Sequence, residues 1–386
     1  SRVYGYEATP ESWGRDYAFL LVNTPPTIHP DELIVGEFHW EMNEVRKYEF
    51  PPEVFELGRQ ARELGAGGTS HGHTCLDLAI GLKLGWSGIL QKIDRNIAKY
   101  ERLHNESKLS FLRGARYCCT AVIDWIGQYA ALAEKMAAEA STAAEKERLE
   151  KIAATCSSLA KNAPQTYHEA VQFIQFAVLT DRMVGHGNGY GRLDQYLIDF
   201  YKRDLAAGSL TREEAREYLA EMFLKLRGQF FCLGGRDRDG KDATNDISYI
   251  VMEAYDMIDD YNNLGVMWHP DMDPKFYDYV CDVLARHGAG IPSLVNYDLI
   301  RDAELRSGIP EDVAWNVAYS GCQWFCIPGM EYCDQDVNAL NLIDPMKRAI
   351  DCGIAENVAD FEGLYTLFIE EFQRTVAIMR KFKDVQ

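Results

Sequence analysis

The sequence predicts an α/β fold with a large helical N-terminal portion, and three observations carry that expectation. Two strand-like runs, GVMWH (265–269) and IPSLVNY (291–297), each precede a helical pattern, the alternation that builds a sheet covered by helices. A shorter run, VAYSGC (317–322), is a third strand candidate. Ahead of them the spacing of apolar residues predicts helices over 52–65, 86–103 and 107–163, the last Ala- and Glu-rich and ended near Pro164. A second helical block runs from about 165 to 184, and YLIDFYKRDL and TREEAREYLAEMFLKLRGQ continue the theme. No linker and no repeat interrupts residues 1–386, so they are expected to form a single domain. The closing stretch, FIEEFQRTVAIMRKFKDVQ, is an amphipathic helix without a cap or polar tail, as expected of a fragment.

Composition narrows the function classes. At 386 residues and 47% hydrophobic, the chain can bury a large core. Its net charge of −19 repels phosphate backbones and anionic lipid, which speaks against nucleic acid and membrane partners. No stretch approaches the roughly 20 apolar residues that cross a bilayer, and SRVYGYEATPESWGRD lacks the basic-then-apolar build of a signal peptide. Ten scattered cysteines in such a chain point to reduced thiols in a cytoplasm, not to a disulfide scaffold.

The densest chemistry lies in YSGCQWFCIPGMEYCDQD (319–336), which holds three cysteines, a Trp-Phe pair and three carboxylates. A metal site or a redox pair would want CxxC or nearby His partners. Cys322, Cys326 and Cys333 have three and six residues between them, which fits neither a zinc ribbon nor a radical SAM cluster, and Gly329 stands where such a cluster needs its third thiolate. Cys326 and Cys333 read as small buried apolar residues. Cys322 follows Gly321 at the end of an apolar run and precedes an Ile-Pro-Gly turn, so it is expected at a loop tip held by rigid flanks.

Five segments, in order, carry a family resemblance. IHPDELIVGE (28–37), SHGHTCLD (70–77), VQFIQFAVLTDRMVGHGNGYGRLDQYL (171–197), KDATNDISYIVMEA (241–254) and IPEDVAWNVAYSGCQWFCIPG (309–329) resemble the corresponding stretches of glycyl radical enzymes, the relatives of pyruvate formate-lyase and glycerol dehydratase. The resemblance covers nearly the whole chain. It implies a ten-stranded β/α barrel, here incomplete, in which a cysteine loop and a glycine loop meet. It implies that Cys322 becomes a thiyl radical and attacks a small organic substrate. The radical would be stored on a C-terminal glycine outside this sequence and installed by a radical SAM activating enzyme, with no other cofactor or metal in this chain. A homodimer is implied as well.

Two departures shape the expectation. The family's eliminases carry Glu two residues after the cysteine, as a base, and here that position is Trp324, which only donates. Asp336 matches a substrate-contacting acid of the glycerol dehydratase type; Glu331 and Asp334 are further candidates. Family serines read Gly187 and Gly189, which leaves space, and Trp324 with Phe325 would offer an aromatic wall to a flat substrate. His73 resembles a polar group at the active-site edge, while His186 sits in a glycine-rich loop lacking the lysine of a phosphate cradle. Arg192 and Asp194 are expected as a structural ion pair. The second departure is the radical glycine: nothing after Cys322 resembles its "RVxGY" segment, and RVYGY (2–6) has those letters at the wrong end.

The function expected is therefore a radical lyase cleaving a C–C or C–O bond, a decarboxylase or a dehydratase, with Trp324 tilting toward carbon–carbon chemistry. A fumarate-adding radical synthase, and a non-catalytic partner of a glycyl radical enzyme, are the alternatives.

Overall fold

Helix ends in the N-terminal half fall where the sequence supplies caps. Thr142 accepts from the Glu145 amide and the Ser141 amide donates to the Glu145 carboxylate, so the helix expected over 107–163 is two, Glu106–Glu139 and Ala143–Leu159. Ala140 between them is extended, at φ −60° and ψ 136°. A side-chain cap satisfies amides that a helix start exposes, and here it overrides the Ala/Glu propensity running through the junction. Thr166 and Thr211 form capping boxes with Glu169 and Glu214 at the starts of Tyr167–Arg182 and Arg212–Lys225. The helix expected from 86 starts earlier, at Leu78, with Asp77 as its cap; Gly85 at φ 62° breaks it, and regular helix resumes at Trp86.

The structure is a computed structural model that describes residues 9–38, 52–67, 73–183, 189–226, 228–258, 263–321, 324–333 and 339–385. The chain divides into two compact units, Ser1–Arg46 with His73–Cys333, and Lys47–Gly72 with Asp334–Gln386.

In the first unit a helical core gathers around Trp125, Tyr129, Phe173 and Phe176. The Trp125 ring meets Tyr129 and Phe176 edge-on at 5.1 and 5.7 Å. Residues 33–36 of the IHPDELIVGE segment run alongside, and side chains take the place of a neighbouring strand. Glu221 accepts from the Leu33 and Ile34 amides, Gln172 bonds both the amide and the carbonyl of Val35, and Gln175 donates to the Gly36 carbonyl. These buried backbone groups thus find partners without a neighbouring strand.

The unit's sheet has four parallel strands in the order Gly189–Arg192, Phe230–Gly234, Asn263–Trp268 and Ser293–Asn296. After each strand the chain returns through a helix: Leu193–Ala206, Asp246–Ile258, Pro274–His287 and Tyr297–Ser307. Strand alternation sorts the side chains into two cores. Phe231, Leu233, Leu264 and Val266 join the helical core, whereas Phe230, Cys232, Met267 and Val295 face a second, smaller one. The two expected strands are therefore present, with two more ahead of them. What the described residues show is an α/β unit with a four-stranded parallel sheet and mostly helical surroundings; their sheets do not make up a ten-stranded barrel.

The second unit holds the helices Pro52–Glu63, Ile343–Ala355 and Phe361–Val385, and a short antiparallel pair between Ala66–Gly67 and Ala339–Leu340. Arg348 ties it together, donating to Glu371 at 2.7 Å, Thr375 at 2.9 Å and the Leu64 carbonyl at 3.3 Å.

Candidate active site

The second core is built by a hairpin laid on the sheet. Ala318–Ser320 pairs antiparallel with Trp324–Cys326, in the register Ala318↔Cys326, Tyr319↔Phe325 and Ser320↔Trp324. VAYSGC thus contains the expected strand. Cys322, at its end, falls outside the described residues, between Ser320 and Trp324, which are paired with each other. Gly321, the residue before it, is buried and at φ 60°.

Tyr319 seats the hairpin. It is 1% exposed, its phenol donates to the Asn263 carbonyl at 3.2 Å, and the Ser293 hydroxyl bonds to the same phenol. The Tyr319 backbone amide bonds the Cys232 sulfur, and Phe230 and Phe325 meet the Tyr319 ring edge-on, both at 6.5 Å. Two glycines make room for it. A Cβ at Gly265 would lie 2.2 Å from the Tyr319 ring, and one at Gly189 would lie 2.0 Å from the Tyr319 carbonyl oxygen and 2.5 Å from Ser320 Cα. The space expected opposite the cysteine loop at Gly189 is filled by the hairpin itself.

Residues 73–75 and Gly189, from two other motif segments, close around the same hairpin. Cys75 bridges Gly189 in parallel, and its carbonyl accepts from the Gly329 amide at 2.8 Å. His73–Thr74 pairs antiparallel with Tyr332–Cys333, and His73 stands opposite Cys333. Between these strands Glu331 closes its own turn, accepting from the Ile327 amide at 2.7 Å. Asp334, Asp336, His186 and Gly187 fall outside the described residues. Trp324 and Phe325 do not form one wall: neighbouring strand residues point to opposite faces, and Phe325 turns to Tyr319 while Trp324 is 50% exposed.

A cavity of about 170 Å³ opens where the strands Phe230–Gly234, Asn263–Trp268 and Ser293–Asn296 begin. Phe230, Asn263, Ile291, Ser293 and Tyr319 line it, and so does Gly321. In the core that Phe230 and Tyr319 share, Cys75, Cys232 and Cys326 are at most 2% exposed, and burial pushes the Cys232 thiol up. Among the described residues no group of His, Cys, Asp and Glu is placed to hold a metal ion, and no helix is long and apolar enough to cross a membrane.

At the other ends of the strands, Arg192 and Asp194 do not pair with each other. Arg192, 1% exposed, donates to the carbonyls of Gly234, Arg236 and Trp315, while Asp194 accepts from the Gly234 amide at 2.8 Å and from Ser248 at 2.5 Å. Both hold the turn at Gly234. Burial pushes the Asp194 carboxyl up, and its hydrogen bonds oppose that shift.

Sequence reasoning missed Tyr319, Cys75 and Cys232, which are ordinary apolar-patterned residues until the hairpin meets the sheet. It also missed the strand FFCLG, although five apolar or small residues bounded by Gly228 and Gly235 are a signal for a buried strand.

The pyruvate formate lyase-like family model matches residues 41–386. The probable dehydratase YbiW of Escherichia coli (strain K12) is 29% identical over an alignment of 281 residues that covers 65% of this chain and 34% of that protein. The isethionate sulfite-lyase of Nitratidesulfovibrio vulgaris is 28% identical over 268 residues, 62% of this chain and 32% of that one. The chain thus spans about a third of the length of these curated relatives, 34% and 32%. A solved structure for 1,2-propanediol dehydration in Roseburia inulinivorans superposes on all of this chain and 56% of its own, at 22% identity and a TM-score of 0.85, a likeness of fold. With a family model matched across both units and the cysteine-loop segments drawn to one hairpin, the chain belongs to the pyruvate formate lyase-like family of glycyl radical enzymes.

Proposed function

We propose that this chain supplies the cysteine side of a radical lyase, in which a thiyl radical on Cys322 cleaves a C–C or C–O bond of a small organic substrate held in the cavity beside Gly321. The observation that supports this reading is convergence. Residues 73–75, 189–192 and 318–333 are far apart in the chain, yet the described ones meet through backbone pairing and close contact. The dehydratase and the sulfite-lyase among the relatives agree with a lyase.

The chain's own part in the chemistry follows from its surroundings. A neutral thiol in a dry site gives up a hydrogen atom, where an exposed one would ionise or be quenched. The glycyl radical supplies the acceptor for that hydrogen atom. The sulfur radical then takes a hydrogen atom from the substrate, forming S–H. The substrate radical breaks its neighbouring C–O or C–C bond, and the product radical takes the hydrogen back from Cys322. In a dehydration, the proton of the adjacent hydroxyl leaves with the departing water. Trp324 cannot accept that proton, so the reading gives the task to a carboxylate, Asp336, and places His73 and Gly187 at the substrate's edge. The same reading takes in a radical SAM activating enzyme, a homodimer, a cytoplasmic setting and one barrel domain of ten strands containing both units.

The test is electron paramagnetic resonance on the full-length protein, incubated anaerobically with its activating enzyme. A persistent carbon-centred doublet is expected, and Cys322→Ala should keep it while abolishing turnover of every accepted aryl acid or small diol. A folded full-length sample that never gives the doublet would overturn the reading.

A further inference from the structure

We propose that Tyr319 is a positioning residue that sets how far the Cys322 segment reaches from the sheet; this rests on the lyase reading above. Tyr319 lies three residues before Cys322 and is fixed from several directions. Its ring occupies the space a side chain at 265 would need, and its carbonyl and the next Cα occupy the space at 189. Its phenol is held at the level of Asn263 and Ser293, and its amide is bound by the Cys232 sulfur. A buried side chain with contacts to all of the last three sheet strands cannot slide along them without breaking several contacts at once. The hairpin, described up to Gly321, therefore has one height on the sheet, from which Cys322 would act.

This role differs from simple core filling. The phenol hydroxyl adds little volume beyond a phenylalanine ring, yet it alone is tethered to the starts of two strands, at Asn263 and Ser293. Removing it should leave the fold in place and loosen only the reach of the loop. Misplacement of a reacting atom by about 1 Å can cost on the order of 10²-fold in rate.

The test needs no known substrate. In D₂O the thiol exchanges to S–D. Transfer of that deuterium to the radical glycine forms a C–D bond and a thiyl, and return of the glycine's hydrogen atom to sulfur leaves a deuterated glycyl radical. The paramagnetic doublet then collapses toward a singlet, at a rate set by how well the sulfur meets the glycine. In the full-length activated protein, Cys322→Ala should block the collapse. Tyr319→Phe should slow it about 10-fold, and Gly265→Ala, which drives a Cβ into the ring, by on the order of 10²-fold, at unchanged radical yield. A Tyr319→Phe protein that collapses at the parent rate, while Cys322→Ala is blocked, overturns the positioning role and leaves the lyase reading standing. If the parent doublet never collapses, the lyase reading falls and this inference falls with it.

Discussion

Replacing Gly189 by alanine tests whether the hairpin is seated where the structure puts it. The new Cβ would lie 2.0 Å from the Tyr319 carbonyl oxygen, about 1.4 Å inside the 3.4 Å of ordinary contact, and 2.5 Å from Ser320 Cα. Both obstacles are backbone, so no side chain can swing away. The alternative gains are small. Alanine on an extended strand stabilises by only about 0.5–1 kcal/mol relative to glycine, whereas overpacking a filled interior costs typically 1–3 kcal/mol. A net loss of about 1–2 kcal/mol is expected, or a melting temperature lower by roughly 2 °C, given about 2 cal/mol/K of unfolding entropy per residue. The hairpin would lift to relieve the clash, and Cys326 at 0% and Cys75 at 2% exposure would then become open to reagent. Maleimide labelling mapped by mass spectrometry, alongside thermal unfolding, reads both effects. A Gly189→Ala protein melting within about 1 °C of the parent, with Cys75 and Cys326 still unlabelled, would refute the docking geometry on which the candidate site rests.

Acidification should also weaken the first unit. Burial holds the His168 imidazole down to about 4 from its ordinary 6.5, against the pull of its bond to the Leu33 carbonyl. Between those values the unfolded chain binds a proton that the folded state refuses. Stability is thus full above about pH 6.5 and falls by up to about 3 kcal/mol as pH drops toward 4. Urea midpoints at pH 7 and 4.5 should show the loss, and His168→Gln should remove the part due to this group. Ser248→Ala takes a 2.5 Å hydrogen bond from the buried Asp194 carboxylate and should cost about 1.5–3 kcal/mol in the same assay. In the second unit, Arg348→Met takes one donor from Glu371, from Thr375 and from the Leu64 carbonyl. Amide exchange across Phe361–Val385 should speed by on the order of 10-fold or more, equivalent to about 1.4 kcal/mol.

Where the sequence was legible, one local cause sufficed. The helices were read from apolar spacing, and GVMWH and IPSLVNY declared themselves as apolar, β-branched runs. The break at Ala140 was hidden because Ala- and Glu-rich propensity continues through it, while the deciding bonds belong to Ser141, Thr142 and Glu145. GYGR was missed because a strand with two glycines has no propensity signal; it forms because Cys75, Phe230 and the hairpin border it. The ion pair expected between Arg192 and Asp194 dissolved for a similar reason. Two residues apart, they reach for the turn at Gly234 that only the neighbouring strand brings near. Motif order drew attention to the segments around Cys322. It carried no information on how they meet, which depends on where one aromatic ring can fit.

The cysteines show why geometry must do the selecting. Cys75, Cys232 and Cys326 share the second core with Tyr319, and burial there pushes the Cys232 thiol up. Chemistry through a thiolate would choose among them by acidity, because a depressed thiol pKa marks the reactive one. Hydrogen-atom transfer has no such filter: a neutral buried S–H is a competent donor wherever it sits. A chain with several buried thiols in one core can direct a radical to a single sulfur only by fixing which one reaches the substrate. On the proposed reading the hairpin would do this with rigid parts. Cys326 is turned into the core opposite Ala318, Cys232 is bound to the Tyr319 amide, and Cys75 lies on the strand bridge to Gly189. In sequence Cys322 follows Gly321, which lines the cavity. On this account the tightness of packing around Tyr319 is part of the selectivity of the chemistry, and loosening it should misdirect a radical before it unfolds the protein.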